Sequence, residues 1–235
     1  MSSPRYRRWT GILALLLVVI LVVGNGLHPP LPKESLPALM MIAGYGPWSI
    51  VHLLILSSYL VLIPVACGVA ASFVGEYPQV RIGVQLVVFG AALGAVYITI
   101  HLTMLTYLAR QFTLTTDAVA RANIAFLYDL IYPLADAFDV ISLFAIFAAV
   151  ILYGTAMRRD RLYPAWLGAV AIGGGGIAAV GRLVHEAMQT TTGAIIDGVS
   201  MIPLVVWLAA TGVILLHTAA AGMEREPTAR RAEMA

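Results

Sequence analysis

The sequence predicts an all-α integral membrane protein with a bundle of six transmembrane helices, and three observations support this fold class. Hydrophobic residues make up 60% of the 235-residue chain and charged residues only 11%, whereas a soluble domain carries roughly 25% charged residues. The mean hydropathy is +0.90. Six stretches are long enough to cross the hydrocarbon core, which takes about 20 apolar residues: roughly 10–27, 48–74, 82–108, 123–157, 163–189 and 198–221.

Local signals mark the ends of these stretches. The first follows a basic N-terminus and contains Gly24-Asn25-Gly26, but its apolar run is long for a signal peptide, so we expect an uncleaved span. Trp48 begins the second span, and Pro164 lies in the first turn of the fifth, where its missing N–H costs nothing. The fourth stretch is too long for one straight crossing. We expect Pro133 to break or kink it and to leave 123–132 at the outer interface.

Basic residues predict the orientation of the chain. Arginines cluster before the first span, between spans four and five, and after span six. These places fall on one side of a six-span protein, and by the positive-inside rule that side is the cytoplasm. We therefore predict a bacterial-type plasma (inner) membrane protein with both termini cytoplasmic. Residues 1–223 would form one membrane domain, residues 224–235 would form a disordered cytoplasmic tail, and 28–47, 109–122 and 190–197 would face outward.

Composition excludes several classes of function. Cys67 is the only cysteine, which argues against a disulfide and an Fe–S cluster. Lys33 is the only lysine and lies in a Pro-rich loop, so no amine is placed to form the Schiff base of a retinal pigment or a PLP enzyme. Aromatic residues are not interleaved with the arginines, and we therefore expect no nucleic acid partner.

Ionisable side chains inside the spans point to a site. Such groups are costly in hydrocarbon and usually face the bundle interior. His101 lies 20 residues after Arg81, roughly 30 Å along its helix at 1.5 Å per residue, and the others fall at a similar depth toward the outer face. Four helices would thus bring polar groups to one layer, whose members are His52, His101, Asp136, Arg182, His185 and Glu186.

This layer is typical of a transition-metal site. Imidazole and carboxylate groups suit Zn, Fe or Cu. We expect His52, His101 and His185 to be the metal ligands. Asp136 or Glu186 would be a fourth ligand or a catalytic proton acceptor. Arg182 would be an electrostatic partner for an anionic substrate or for these carboxylates, or would pair with a propionate of a bound haem. The chemistry would be metal-assisted activation of water or oxygen on a small or lipid-like molecule. His28, in a loop, and His217, at the inner end of span six, are predicted to be interfacial residues without chemistry.

Structural interpretations of the same residues stay open. Residues 182, 185 and 186 share one helix face, and an internal salt bridge between Arg182 and Glu186 would explain two of them. Asp129, Asp136 and Asp139 form a stripe on helix four that could be a hydrogen-bonded packing seam. The glycine run 173–176 could admit a flat cofactor, but close helix packing explains it better.

Three other functions fit the same pattern. Two of the histidines could ligate haem b, which would make the chain an electron-transfer or quinone-reactive subunit. The aspartate stripe and the histidines could conduct protons or ions in a transporter. The chain could also be an accessory subunit of a larger membrane complex, with lipids as its other partners.

Overall fold

The computed structural model describes residues 3–32, 34–188 and 190–233, and its side chains up to residue 221 with the exception of residue 191. This part of the chain is helical and contains no strand, which confirms the predicted fold class. In chain order the helices are α1 (Pro4–Leu27), α2 (Ser35–Gly44), α3 (Trp48–Ser72), α4 (Pro78–Ile100), a π-helical turn (His101–Leu105), α5 (Thr106–Leu114), α6 (Ala118–Met157), α7 (Ala165–Met188), α8 (Thr191–Ser200) and α9 (Ile202–Glu233).

Six helical stretches are long and apolar enough to cross a membrane, as the sequence predicts. Their bounds are Pro4–Leu27, Trp48–Ser72, Pro78–Leu114, Ala118–Met157, Ala165–Met188 and Thr192–Ala221. The protein is therefore a multi-pass helical membrane protein. The cytoplasmic location of the termini stays a prediction, as do the single membrane domain and the disordered tail at 224–235, where side chains lie outside the described residues.

The predicted loops contain more helix than expected. The Pro-rich segment 28–47 includes α2, whose Ala38, Leu39 and Ile42 are buried. The segment 190–197, expected to be a short turn, lies mostly in α8, where the Thr190 side chain accepts a hydrogen bond from the Gly193 N–H at 3.2 Å. These helices are shorter than a membrane span, so a long apolar run in the sequence does not predict them.

Proline 133 does not break its helix. α6 runs for 40 residues, from Ala118 to Met157, with Pro133 inside it. A proline removes one backbone hydrogen bond, but neighbouring helices and side chains can compensate for this loss in membrane helices. A break at Pro133 is therefore wrong, whereas the kink and the position of 123–132 at the outer interface stay predictions.

The chain forms two compact units, each built from several segments. The first unit comprises residues 1–19, 61–89 and 144–235, and the second comprises 20–60 and 90–143. In the second unit, α2 packs on α5 around a core that includes Leu39, Trp48, Leu105 and Phe112. In the first unit, α7 packs on α8 and α9.

One carboxylate joins two loops of the first unit. Asp160 accepts hydrogen bonds from the backbone N–H groups of Val74 at 2.9 Å, Gly75 at 3.2 Å and Leu162 at 2.8 Å. The loop after α3 and the loop after α6 therefore lie side by side. Their adjacency agrees with the prediction that both loops leave the membrane on the same side.

The glycine run of α7 serves helix packing at two of its four positions. A Cβ on Gly175 would lie 2.7 Å from Cγ1 of Ile151 and 3.0 Å from the Phe147 carbonyl oxygen, and one on Gly174 would lie 3.0 Å from Cβ of Pro203. Gly173 and Gly176 have nothing within 4 Å of such a Cβ. The structure thus supports small-residue packing at Gly174 and Gly175.

This difference predicts the effect of two substitutions on the same helix. Gly175→Val should lower the free energy of unfolding by about 1–3 kcal/mol, because the larger side chain overlaps α6. Gly173→Val, the matched control, should cost less than about 1 kcal/mol, since its side chain meets open space. Thermal unfolding of the two variants in detergent measures the difference. Equal losses of stability would contradict the packing role of Gly175.

Candidate metal centre

Three histidines of the second unit bring their ring nitrogens together, and we call His28, His52 and His101 the histidine cluster. The Nε2 atoms of His28 and His52 are 3.3 Å apart, and the Nε2 of His52 is 3.3 Å from the Nδ1 of His101. Each residue offers a ligand nitrogen within 4.8 Å of the other two. His52 and His101 are 0% and 1% exposed, and His28 is half-buried. The cluster therefore lies inside the protein.

The ring of His52 is oriented by the first turn of α3. Its Nδ1 lies 2.8 Å from the Trp48 carbonyl oxygen, an acceptor, so we assign the ring proton to Nδ1. The Trp48 ring also packs against His52, with ring centroids 3.9 Å apart. A neutral His52 thus presents the lone pair of Nε2 to both neighbouring histidines. Histidine ligands of metals typically donate their second N–H to a carbonyl in this way.

His28 is positioned by the segment that follows α1. Its ring hydrogen-bonds to the backbone of Pro29, which can only be the carbonyl because proline has no N–H. Burial, and after it the neighbouring His52, lowers the pKa of His28 to about 4. The ring is therefore neutral at pH 7. Because Nε2 faces His52, we assign the proton to Nδ1.

With these assignments, the lone pairs of two nitrogens face each other at 3.3 Å. Lone pairs at this distance repel each other unless a positive charge lies between them, and a metal ion or a proton can provide it. Even if His101 donates its Nδ1–H, the single lone pair on the Nε2 of His52 cannot satisfy both neighbours. A proton or a metal ion between the rings would remove this repulsion, and the three ring nitrogens lie close enough together that they could hold a metal ion.

His101 is the first residue of the π-helical turn, which ends at Leu105. The side chain of Thr106 donates a hydrogen bond to the His101 carbonyl at 3.0 Å. The indole N–H of Trp48 in turn donates to Thr106 Oγ1 at 3.1 Å. Trp48 thereby contacts His52 directly and His101 through one threonine. Such π-helical turns are often found at functional sites.

Two of the three nitrogen separations match those expected for a tetrahedral metal. Two nitrogens that each lie about 2.0–2.1 Å from one zinc ion at a tetrahedral angle are about 3.3–3.4 Å apart, and both measured separations are 3.3 Å. Among the described residues the group contains the three histidines alone. A metal with three protein ligands keeps a fourth position for water or a substrate, as catalytic zinc sites do.

The same two distances do not fit a haem between His28 and His52 or between His52 and His101. Axial ligands on opposite sides of an iron are separated by twice a metal–nitrogen distance, about 4 Å, and a porphyrin must pass between them. The pairs His28–His52 and His52–His101 are both closer than that. Neither of these two pairs is therefore spaced as the axial ligands of a haem.

The cluster differs from the predicted ligand set by one residue. It contains His52 and His101, as expected, but its third member is His28 and not His185. His28 was expected to be an interfacial residue without chemistry, but this loop residue directly follows α1 and its ring contacts that of His52. One signal was available: His28 and His52 flank the same predicted outer segment. His217, which was also predicted to be an interfacial residue without chemistry, is exposed.

Arg182 lies in the first unit, in what we call the arginine cluster with Glu186 and Asp197. Its Nη2 is 2.8 Å from Oε1 of Glu186, and its Nη1 is 3.6 Å from Oδ2 of Asp197. Only 8% of the Arg182 side chain is exposed. The salt bridge considered as a structural interpretation is present. Asp197, which the sequence analysis missed, comes from α8, the helix that was expected to be a turn.

Two other residues of the predicted site, His185 and Asp136, are not members of the histidine cluster. The Nδ1 of His185, on α7, is buried and has no hydrogen-bond partner among the described residues. Asp136 is half-buried in the second unit. Of the predicted aspartate stripe, Asp139 is buried whereas Asp129 is exposed. The stripe therefore does not continue into the interior at Asp129.

Comparison with protein-family models, with curated proteins and with solved structures gave no significant match in any of the three.

Proposed function

We propose that this protein binds one transition-metal ion inside the membrane through His28, His52 and His101. The observation that carries the proposal is the grouping of three ring nitrogens within 4.8 Å of one another, two of whose separations are 3.3 Å, with the tautomer of His52 set by the Trp48 carbonyl. Imidazole nitrogens suit zinc, copper, iron and nickel, whereas magnesium and calcium prefer oxygen ligands. We favour zinc because both nitrogen separations match a tetrahedral ion.

The residues around the cluster indicate how a bound ion would act. Trp48, Tyr97 and Tyr132 place aromatic rings against His52 or His101 and limit the entry of bulk water. A bound ion would supply Lewis acidity at its open position and would activate a water molecule near neutral pH. We propose a small or lipid-like molecule as the substrate. Such a molecule can approach through lipid along the exposed apolar faces of the helices, and we place the protein in the plasma membrane.

Metal analysis of purified protein tests the proposal. The protein in detergent is loaded with zinc, desalted and measured for metal, and we expect about one ion per chain. His52→Ala/His101→Ala should retain none. His217→Ala is the matched control, since this exposed histidine lies outside the cluster, and it should retain the wild-type amount.

A cobalt-loaded sample adds a test of geometry. Tetrahedral cobalt(II) absorbs strongly in the visible range, and this absorption should disappear in the double variant. If that variant does not fold, His101→Gln replaces it and should lose the same signal. Wild-type protein that retains neither zinc, copper, iron nor cobalt would overturn the proposal, and a proton shared between His28 and His52 would then explain the cluster.

A further inference from the structure

A buried carboxylate belongs to the same unit as the histidine cluster, and Tyr97 interacts with both. Asp139 of α6 is 7% exposed, and the Tyr59 hydroxyl donates to its Oδ1 at 3.4 Å. Tyr97 of α4 interacts electrostatically with Asp139, Asp136, Tyr132 and Tyr59. These are the titratable groups that face this position from α3, α4 and α6. We call Tyr59, Tyr97, Asp136 and Asp139 the carboxylate cluster.

Tyr97 joins the two clusters. Its ring meets the ring of His101 edge-on, with centroids 4.5 Å apart. His101 is only 1% exposed. Its Nε2 is buried and has no hydrogen-bond partner among the described residues. When Nδ1 of a histidine binds a metal, Nε2 carries the proton, and metal sites usually provide a carboxylate or carbonyl for it. The Nδ1 of His101 thus faces His52, whereas its Nε2 lacks such a partner among the described residues.

Charge balance connects these observations. Three neutral imidazoles bring no negative charge to a bound cation, and an uncompensated charge inside the membrane is costly. Buried charges are screened little by salt, so a carboxylate can stabilise an ion from beyond its direct ligands. Asp139 is buried in the second unit and interacts electrostatically with Tyr97, whose ring contacts that of His101.

We propose that Asp139 provides the counter-charge of the metal centre and makes it selective for a divalent over a monovalent ion. This inference rests on the proposed function. Asp139 acts as a positioning residue that does not touch the ion, and Tyr59 holds its carboxylate in place by a hydrogen bond. The occupant is thus a divalent ion such as zinc(II), which gains more from a negative charge than copper(I) does.

Affinities for the two ions test the counter-charge. Asp139→Asn should weaken zinc binding about 10–100-fold, the usual effect of removing an outer partner of a metal site, with the stoichiometry and the cobalt spectrum unchanged. Copper(I) should be weakened less. Asp129→Asn is the matched control, because Asp129 lies on the same helix but is exposed, and it should leave both affinities at the wild-type value.

The outcomes separate this inference from the proposed function. Wild-type protein without bound metal overturns both. Wild-type protein that binds zinc overturns the counter-charge alone if Asp139→Asn binds zinc as tightly, or if zinc and copper(I) weaken equally, as a general loss of structure would cause. If Asp139→Asn does not fold, Tyr59→Phe carries the test. It should weaken zinc more than copper(I), and unchanged zinc binding would then contradict the proposal.

Discussion

His28→Ala is expected to weaken zinc binding by more than about 100-fold, whereas His185→Ala leaves it unchanged. Loss of an outer partner already costs a metal site about 10–100-fold in affinity, and His28 would be a direct ligand whose Nε2 lies 3.3 Å from that of His52. His185 belongs to the first unit and is not a member of the histidine cluster. Competition with a coloured zinc chelator measures both affinities in detergent.

This pair of variants distinguishes the proposed ligand set, His28, His52 and His101, from the set predicted by sequence. If His185→Ala abolished binding and His28→Ala did not, the ligands would be His52, His101 and His185, and the described cluster would be a packing arrangement. His28→Asn provides a second test of the same prediction, since it keeps a polar side chain in the loop. It should also lose affinity, because the asparagine is too short to replace the imidazole.

The sequence predicted the spans well because hydropathy over about 20 residues reflects a strong physical requirement. All six spans are present in the structure with similar bounds. The short helices α2 and α8 were not predicted, because each has 10 residues and is too short for a span. Continuity through Pro133 depends on packing by neighbouring helices, which the sequence of one helix does not contain.

The sequence predicted only part of the site. The burial of His52 and His101 follows from their position inside apolar spans, and the structure confirms it. His28 was missed because a histidine in a loop has no helical phase that could place its ring. The tautomer of His52 depends on the Trp48 carbonyl, and the π-helical turn at His101 has no recognised sequence signal. Asp197 reaches Arg182 only because α8 is a helix.

Removal of Arg182 should destabilise the protein more than any other single substitution considered above. Arg182→Ala leaves the carboxylates of Glu186 and Asp197 without their cation, although these side chains are only 28% and 17% exposed. Breaking a buried ion pair on one side costs about 3–5 kcal/mol, because the remaining charge stays desolvated. Unfolding by a denaturing detergent, followed by circular dichroism, measures the free energy of unfolding.

Two further variants show whether charge is the cause. Arg81→Ala breaks the pair with Glu76, which is 3.8 Å long and 79% and 93% exposed at its two side chains, so it should cost less than about 1 kcal/mol. Adding Glu186→Gln and Asp197→Asn to Arg182→Ala removes the uncompensated charges and should restore most of the lost stability. If the triple variant were as unstable as Arg182→Ala alone, the arginine would stabilise α7 and α8 by packing its side chain and not by its charge.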